Sequence, residues 1–180
     1  ALDTWCIDKE SSMPLLRSAL VLYDTTQEQA YIEKAEKISY YLSTWLWHYK
    51  AGYDADEDAT RYGYNTFGAT SVSTQHHHLD VYALMWVSEW LRLAELSGND
   101  VWREKAKAIW TNGCQILSDG TLEINGLIRP VGSQNEAFFE CAWGGYPEKK
   151  RINDWLVAWP GAFRLETMRN ISDWGALDNE

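Results

Sequence analysis

Cysteine is scarce in this chain, and that scarcity removes two structural options. Cys6, Cys114 and Cys141 are odd in number, far apart and without paired spacing, which argues against both a disulfide framework and a zinc site and reads as buried free thiols. Basic residues are outnumbered, with 16 Lys and Arg against 26 Asp and Glu for a net charge of −10. They are also dispersed, so neither nucleic acid nor an anionic membrane surface is an expected partner. No apolar run approaches the roughly 20 residues that cross a bilayer, and no charged segment followed by an apolar core and a cleavage site opens the chain. These absences lean the expected location toward the cytoplasm.

What the chain has in quantity is aromatic surface, with 11 Trp and 10 Tyr in 180 residues that are 46% hydrophobic. That suffices for one sizeable core, and one globular unit is expected. Most of the rings belong to it, since each supplies a large apolar face with one polar handle.

Helical periodicity comes in pairs. A first helix is expected from Ser12 to Tyr23, capped by Ser11 or Ser12, with Pro14 in its first turn and apolar residues on almost every side. After the turn at 24–26, a second helix to Tyr49 carries Ile32, Ala35, Ile38, Leu42, Trp45 and Leu46 on one face and charge on the other. A long loop over 50–77 follows, rich in aromatics and in an acidic run at Asp54–Asp58 that lacks calcium-loop spacing and reads as solvated. A third helix is expected from Leu79 to Ser97, apolar nearly all round as far as Val87 and ended by Gly98, and an amphipathic fourth runs to Leu117. Residues 118–151 form a second long connection with a candidate hairpin at 121–128, before a fifth helix from Ile152 to Asn170 kinked at Pro160. Enclosed helix, short turn, solvated helix and long loop thus recur. In antiparallel hairpins this rhythm gathers the long loops at one end, over one cleft.

Three loop-to-helix phrases carry the chemistry: Gln75-His76-His77-His78-Leu79-Asp80, Gly132-Ser133-Gln134-Asn135-Glu136 and Asp154-Trp155-Leu156-Val157-Ala158-Trp159-Pro160. With the hairpin rhythm and aromatic loops, they make the chain resemble the six-hairpin glycosidase-like superfamily of alpha/alpha toroids over about Trp5 to Met168. The resemblance implies an all-α fold of antiparallel helical hairpins, with long loops at one rim. About five helices are visible, so it implies part of a toroid, completed by the remainder of a longer protein or by a second copy of the chain.

The activity it implies is that of a carbohydrate-active enzyme, foremost a glycoside hydrolase on an oligosaccharide, with uronate-containing ones among the candidates. Polysaccharide lyase chemistry by Tyr62, Tyr64, Asn65, His76 and Arg129 and a non-catalytic carbohydrate-binding or scaffold role stand beside it. A carboxyl next to rings loses its charge more readily and serves as a general acid, which marks Glu136, followed by Phe138, Phe139 and Trp143, with Glu140 in the same loop. Asp80 and Asp154, at the expected starts of two inner helices, are candidates for the second carboxylate or else for helix caps. Arg61 and Arg129 suit a carboxylate ligand through their paired donors. Tyr64, His76, His78, Gln134, Trp143 and Trp155 complete the expected substrate contacts. Three consecutive histidine side chains diverge, so no metal and no cofactor are expected.

Overall fold

In a computed structural model, residues 7–72, 78–139, 151–153 and 155–177 are described. The chain is mostly helical. A 3-10 turn at Glu10–Ser12 leads into α1 (Met13–Thr26), and Pro14 sits in its first turn, where its missing N–H leaves no bond unmade. Neither Ser11 nor Ser12 caps it through its side chain; Ser11 instead bonds Asp8 through both its amide and its hydroxyl. The helix stops at Gln27, which takes a left-handed φ of 60°. α2 (Gln29–Ser43) folds back on α1 but is shorter than expected. Leu46 leaves the helical path to bridge Thr70, so Trp45 to Tyr49 line a loop.

The long loop contains one turn of helix, α3 (Asp58–Arg61), and a short strand, β1 (Thr70–Ser71). Buried side chains hold it in place. Asn112 donates to the carbonyls of Asn65 and Phe67 at 2.8 and 3.2 Å and accepts the Tyr64 hydroxyl at 3.1 Å. Asp58 was expected to be solvated with the rest of the acidic run, but it is fully buried. It accepts the amide of Ile152 at 2.9 Å and faces Arg61 and Arg151 at 3.4 and 3.5 Å. It thereby ties the loop before β1 to the segment at Ile152, beside the cluster in which Tyr64 stacks on Phe138.

The largest departure concerns the third helix, expected from Leu79. Residues His78–Asp80 form a strand, β2, pairing antiparallel with β1 on one side and with β5 (Ala137–Phe139) on the other. A 3-10 turn at Tyr82–Trp86 follows, and α4 spans only Val87–Ser97. A short run buried on all sides satisfies strand and helix alike, and hydrophobic period cannot separate them. α4 ends at Gly98 and packs on α5 (Val101–Gly113). The expected hairpin is present as β3 (Glu123–Ile124) and β4 (Leu127–Ile128), turned by Asn125 and Gly126 at positive φ.

The fifth helix of the sequence reading begins later than expected, as α6 (Trp159–Asn170), with Pro160 in its first turn and no kink at its middle. A helix running in from Ile152 would press the Pro160 ring against the carbonyl four residues earlier. Ile152 and Leu156 instead bridge Phe138 and Asn135.

α4 touches both α1 and α6. Arg17 of α1 joins all three, with its guanidinium 2.6 Å from Glu89 on α4 and 3.1 Å from Glu166 on α6. The main core lies between these helices and α2 and α5, with Trp86, Trp90 and Trp102 wholly buried. α1 is not enclosed all round, because Leu15, Val21 and Leu22 are exposed; on α6 Leu165 and Met168 are exposed as well. Cys114 is free and exposed rather than buried. No helix among the described residues is long and apolar enough to cross a membrane.

Candidate functional site

The segments that carry Glu10, Asp80 and Glu136 meet around one buried cation. Lys9 is completely buried, an unusual place for an ammonium, and its Nζ lies 2.6 Å from Asp80 Oδ2 and 5.1 Å from the centre of the Tyr82 ring. Asp80 is 2% exposed and fully engaged: its other oxygen accepts the Thr70 hydroxyl and the amide of Tyr82. The aspartate therefore ties the strand end to the 3-10 turn. It holds the first amide of that 3-10 turn rather than capping an α-helix, the role the sequence offered beside that of second carboxylate.

Two half-buried glutamates stand beside this pair. Glu136 follows directly on Asn135, and its amide bonds the carbonyl of Trp155 at 3.0 Å. Burial, reinforced by the negative charge of Asp80, raises its pKa above the ordinary value, while a hydrogen bond from Trp159 and the charge of Lys9 pull the other way. Glu10, on the turn that precedes α1, is pushed by burial from 4.5 to about 7, with Lys9 opposing and Asp80 and Asp8 adding. Tyr82 hydrogen-bonds Glu10, and burial with the neighbouring carboxylates drives its phenol far above the ordinary range. Trp159 also packs on Tyr82, with ring centres 5.4 Å apart. The result is a buried Lys–Asp pair flanked by two carboxyls that hold protons more tightly than usual, next to two large rings.

The other expected site residues divide into three groups. Tyr64 is buried, bonds Asn112 and stacks on Phe138 at 4.4 Å, which makes it part of the second core cluster. Gln134 is buried, donating to the carbonyls of Gly113 and Gln115 and accepting Arg164 at 2.5 Å. Arg129 is buried against the β3–β4 hairpin, one of its terminal nitrogens 3.4 Å from the carbonyl of Ile124. These three were expected to grip substrate; Gln134 and Arg129 bond backbone carbonyls, since buried polar backbone needs partners, and Tyr64 bonds the Asn112 side chain and packs on Phe138. Arg61 is half-exposed and engaged with Asp58. Trp155 is partly buried and places its carbonyl on Glu136. His76, Glu140, Trp143 and Asp154 lie outside the described residues, as does the side chain of His78, whose backbone belongs to β2.

Lys9, Glu10 and Tyr82 are the members that the sequence reading missed. Nothing in periodicity marks a single lysine as buried. The one available signal is placement, since Lys9 and Glu10 stand just before α1, as Asp80 stands just before the 3-10 turn that leads into α4. Among the described residues no group of three or more His, Cys, Asp or Glu is arranged to hold a metal ion. Compared with known proteins, the chain matches no family model, no curated protein and no solved structure.

Proposed function

We propose that the chain is a carbohydrate-active enzyme, a glycoside hydrolase for an oligosaccharide that includes a uronate, in which Glu136 is the general acid. The single observation behind this reading is Glu136 itself: a half-buried carboxyl whose pKa is raised by burial and by Asp80, held by Trp159. Such a group keeps its proton closer to neutral pH and can deliver it to a leaving oxygen. Glu10 supplies the second carboxyl in place of Asp80, whose oxygens are taken by Lys9, Thr70 and the Tyr82 amide. Tyr82 and Trp159 offer rings of the kind on which sugar faces stack. Part of an alpha/alpha toroid remains the architecture that suits three neighbouring inner helices entered from one end, with further hairpins or a second copy closing the ring. The lyase alternative is weakened, since Tyr64 and Arg129 are committed to loop packing.

The test is a panel of aryl glycosides and uronate-containing oligosaccharides, followed both by new reducing ends and by the absorbance of unsaturated ends. Glu136→Gln should lower turnover about a hundredfold or more while leaving substrate affinity and melting temperature nearly unchanged. New unsaturated ends would mean a lyase, and binding without either product would mean a binding module. A lowered melting temperature with intact turnover per folded molecule would make Glu136 a structural residue.

A further inference from the structure

Away from the carboxyl cluster, a cavity of about 310 Å³ opens between the end of the first hairpin, the loop before β1 and the outer face of α5. None of its lining residues belongs to the Lys9–Glu136 group. Its walls are braced by hydrogen bonds. The Trp47 amide bonds the Ala69 carbonyl and the Gly68 amide bonds the Trp47 carbonyl, both at 2.9 Å, while the Trp47 indole donates to Ser71 at 3.0 Å. Gly68 lies so close to α5 that an added Cβ would meet the Ala108 carbonyl oxygen at 2.2 Å. The space is thus largely preformed, and its size is at the lower end of small-molecule sites.

The lining combines rings and cations. Trp47 and the half-exposed Phe67 supply apolar faces, and Lys105 and Lys107 supply two positive charges against the one negative charge of Glu104, in a chain of net charge −10. Lys107 has a carboxylate nearby, Glu104 at 4.0 Å. Lys105 has none among the described residues, although it is partly withdrawn from water, and that burial lowers its pKa. An ammonium partly desolvated beside rings and left without a counter-charge is complementary to an anion with a flat apolar body.

We infer that this cavity is a binding site for a small aromatic carboxylate, its ring against Trp47 and Phe67 and its carboxylate on Lys105. The probes are naphthalene-2-carboxylate and its neutral analogue naphthalene-2-methanol, titrated calorimetrically into the full chain. The carboxylate should bind one to one, and at least tenfold more tightly than the alcohol. Lys105→Met, which keeps the apolar stem, should weaken carboxylate binding at least tenfold and Phe67→Ala severalfold, both with unchanged circular dichroism. In a ¹⁵N spectrum the Trp47 indole N–H should shift on titration, and Glu136→Gln should bind the probe as well as the native chain does. Absence of saturable binding, equal affinity for the acid and the alcohol, or undiminished binding by Lys105→Met would each overturn the assignment.

Discussion

Lys9 and Asp80 are held in the interior by each other, and the energetics of that arrangement are asymmetric. Withdrawing two charges from water costs several kcal/mol per ion, and their attraction returns this only if both are present with hydrogen-bonding partners. Asp80 has them, in the Thr70 hydroxyl and the Tyr82 amide; Lys9 adds the face of the Tyr82 ring. Lys9→Met should therefore cost about 3–5 kcal/mol in urea unfolding, since it leaves a buried carboxylate uncompensated. Adding Asp80→Asn should recover a substantial part of that loss. A single variant as stable as the native chain would mean that Asp80 reaches water or another cation. At this scale the sequence was legible in kind more than in role. Asp80 and Glu136 stood out as carboxyls next to apolar runs, and both do sit at the meeting of the inner segments. Arg129, Gln134 and Tyr64 looked equally chemical, yet the first two bind backbone carbonyls and Tyr64 binds the Asn112 side chain, because a polar residue with a structural partner and one that binds a ligand are the same letter.

Among elements, the loop over 50–77 shows how one small residue fixes a contact. Gly68 combines a φ of +87° with a backbone-to-backbone approach on α5, where a Cβ would also fall 2.5 Å from the Ala108 carbonyl carbon. Neither the conformation nor the contact can relax by moving a flexible side chain. Gly68→Ala should lower stability by at least about 2 kcal/mol, read as a drop in melting temperature. Gly52→Ala, where nothing lies within 4 Å, should be nearly neutral. Equal behaviour of the two would mean that the loop does not rest on α5. The helices with one charged face, α2 and α5, were readable from period, as was the Asn125-Gly126 hairpin. The stretches around Leu79 and Ile152 were not: burial on nearly every side erases the periodic signal in the first, and the second is an unbroken apolar run of letters in which Leu156 is nevertheless exposed. Pro160 read as a kink because the apolar run before it looked helical; once that run is extended, the same proline is simply a good first-turn residue.

For the whole molecule, the segments carrying Lys9, Asp80 and Glu136 meet at one place; the sequence displays the paired helices that lead away from it, although α1 and α6 expose apolar residues and are not enclosed. The charge state of the meeting point follows from burial, which the sequence does not display. That charge state should govern how stability depends on pH. Glu10 titrates at about 7 in the folded chain against 4.5 ordinarily, and Glu136 is displaced in the same direction. A carboxyl whose folded pKa lies above its unfolded value binds more proton in the native state. Stability should therefore be greatest near pH 4.5–5, decline as pH rises toward 7 and level off above it. For Glu10 the decline amounts to about 1–2 kcal/mol, once discounted for solvent reaching a half-exposed group. General repulsion at a net charge of −10 pushes the same way, but salt screens it, whereas the cost of burying a carboxylate persists. Urea midpoints at pH 5 and 7.5, each in low and high salt, separate the two. Glu10→Gln should raise stability at pH 7.5 and flatten part of the slope that survives in high salt, the Glu136 contribution remaining. A slope abolished by salt alone, or one unchanged in Glu10→Gln, would place Glu10 in water rather than against Lys9, Asp80 and Tyr82.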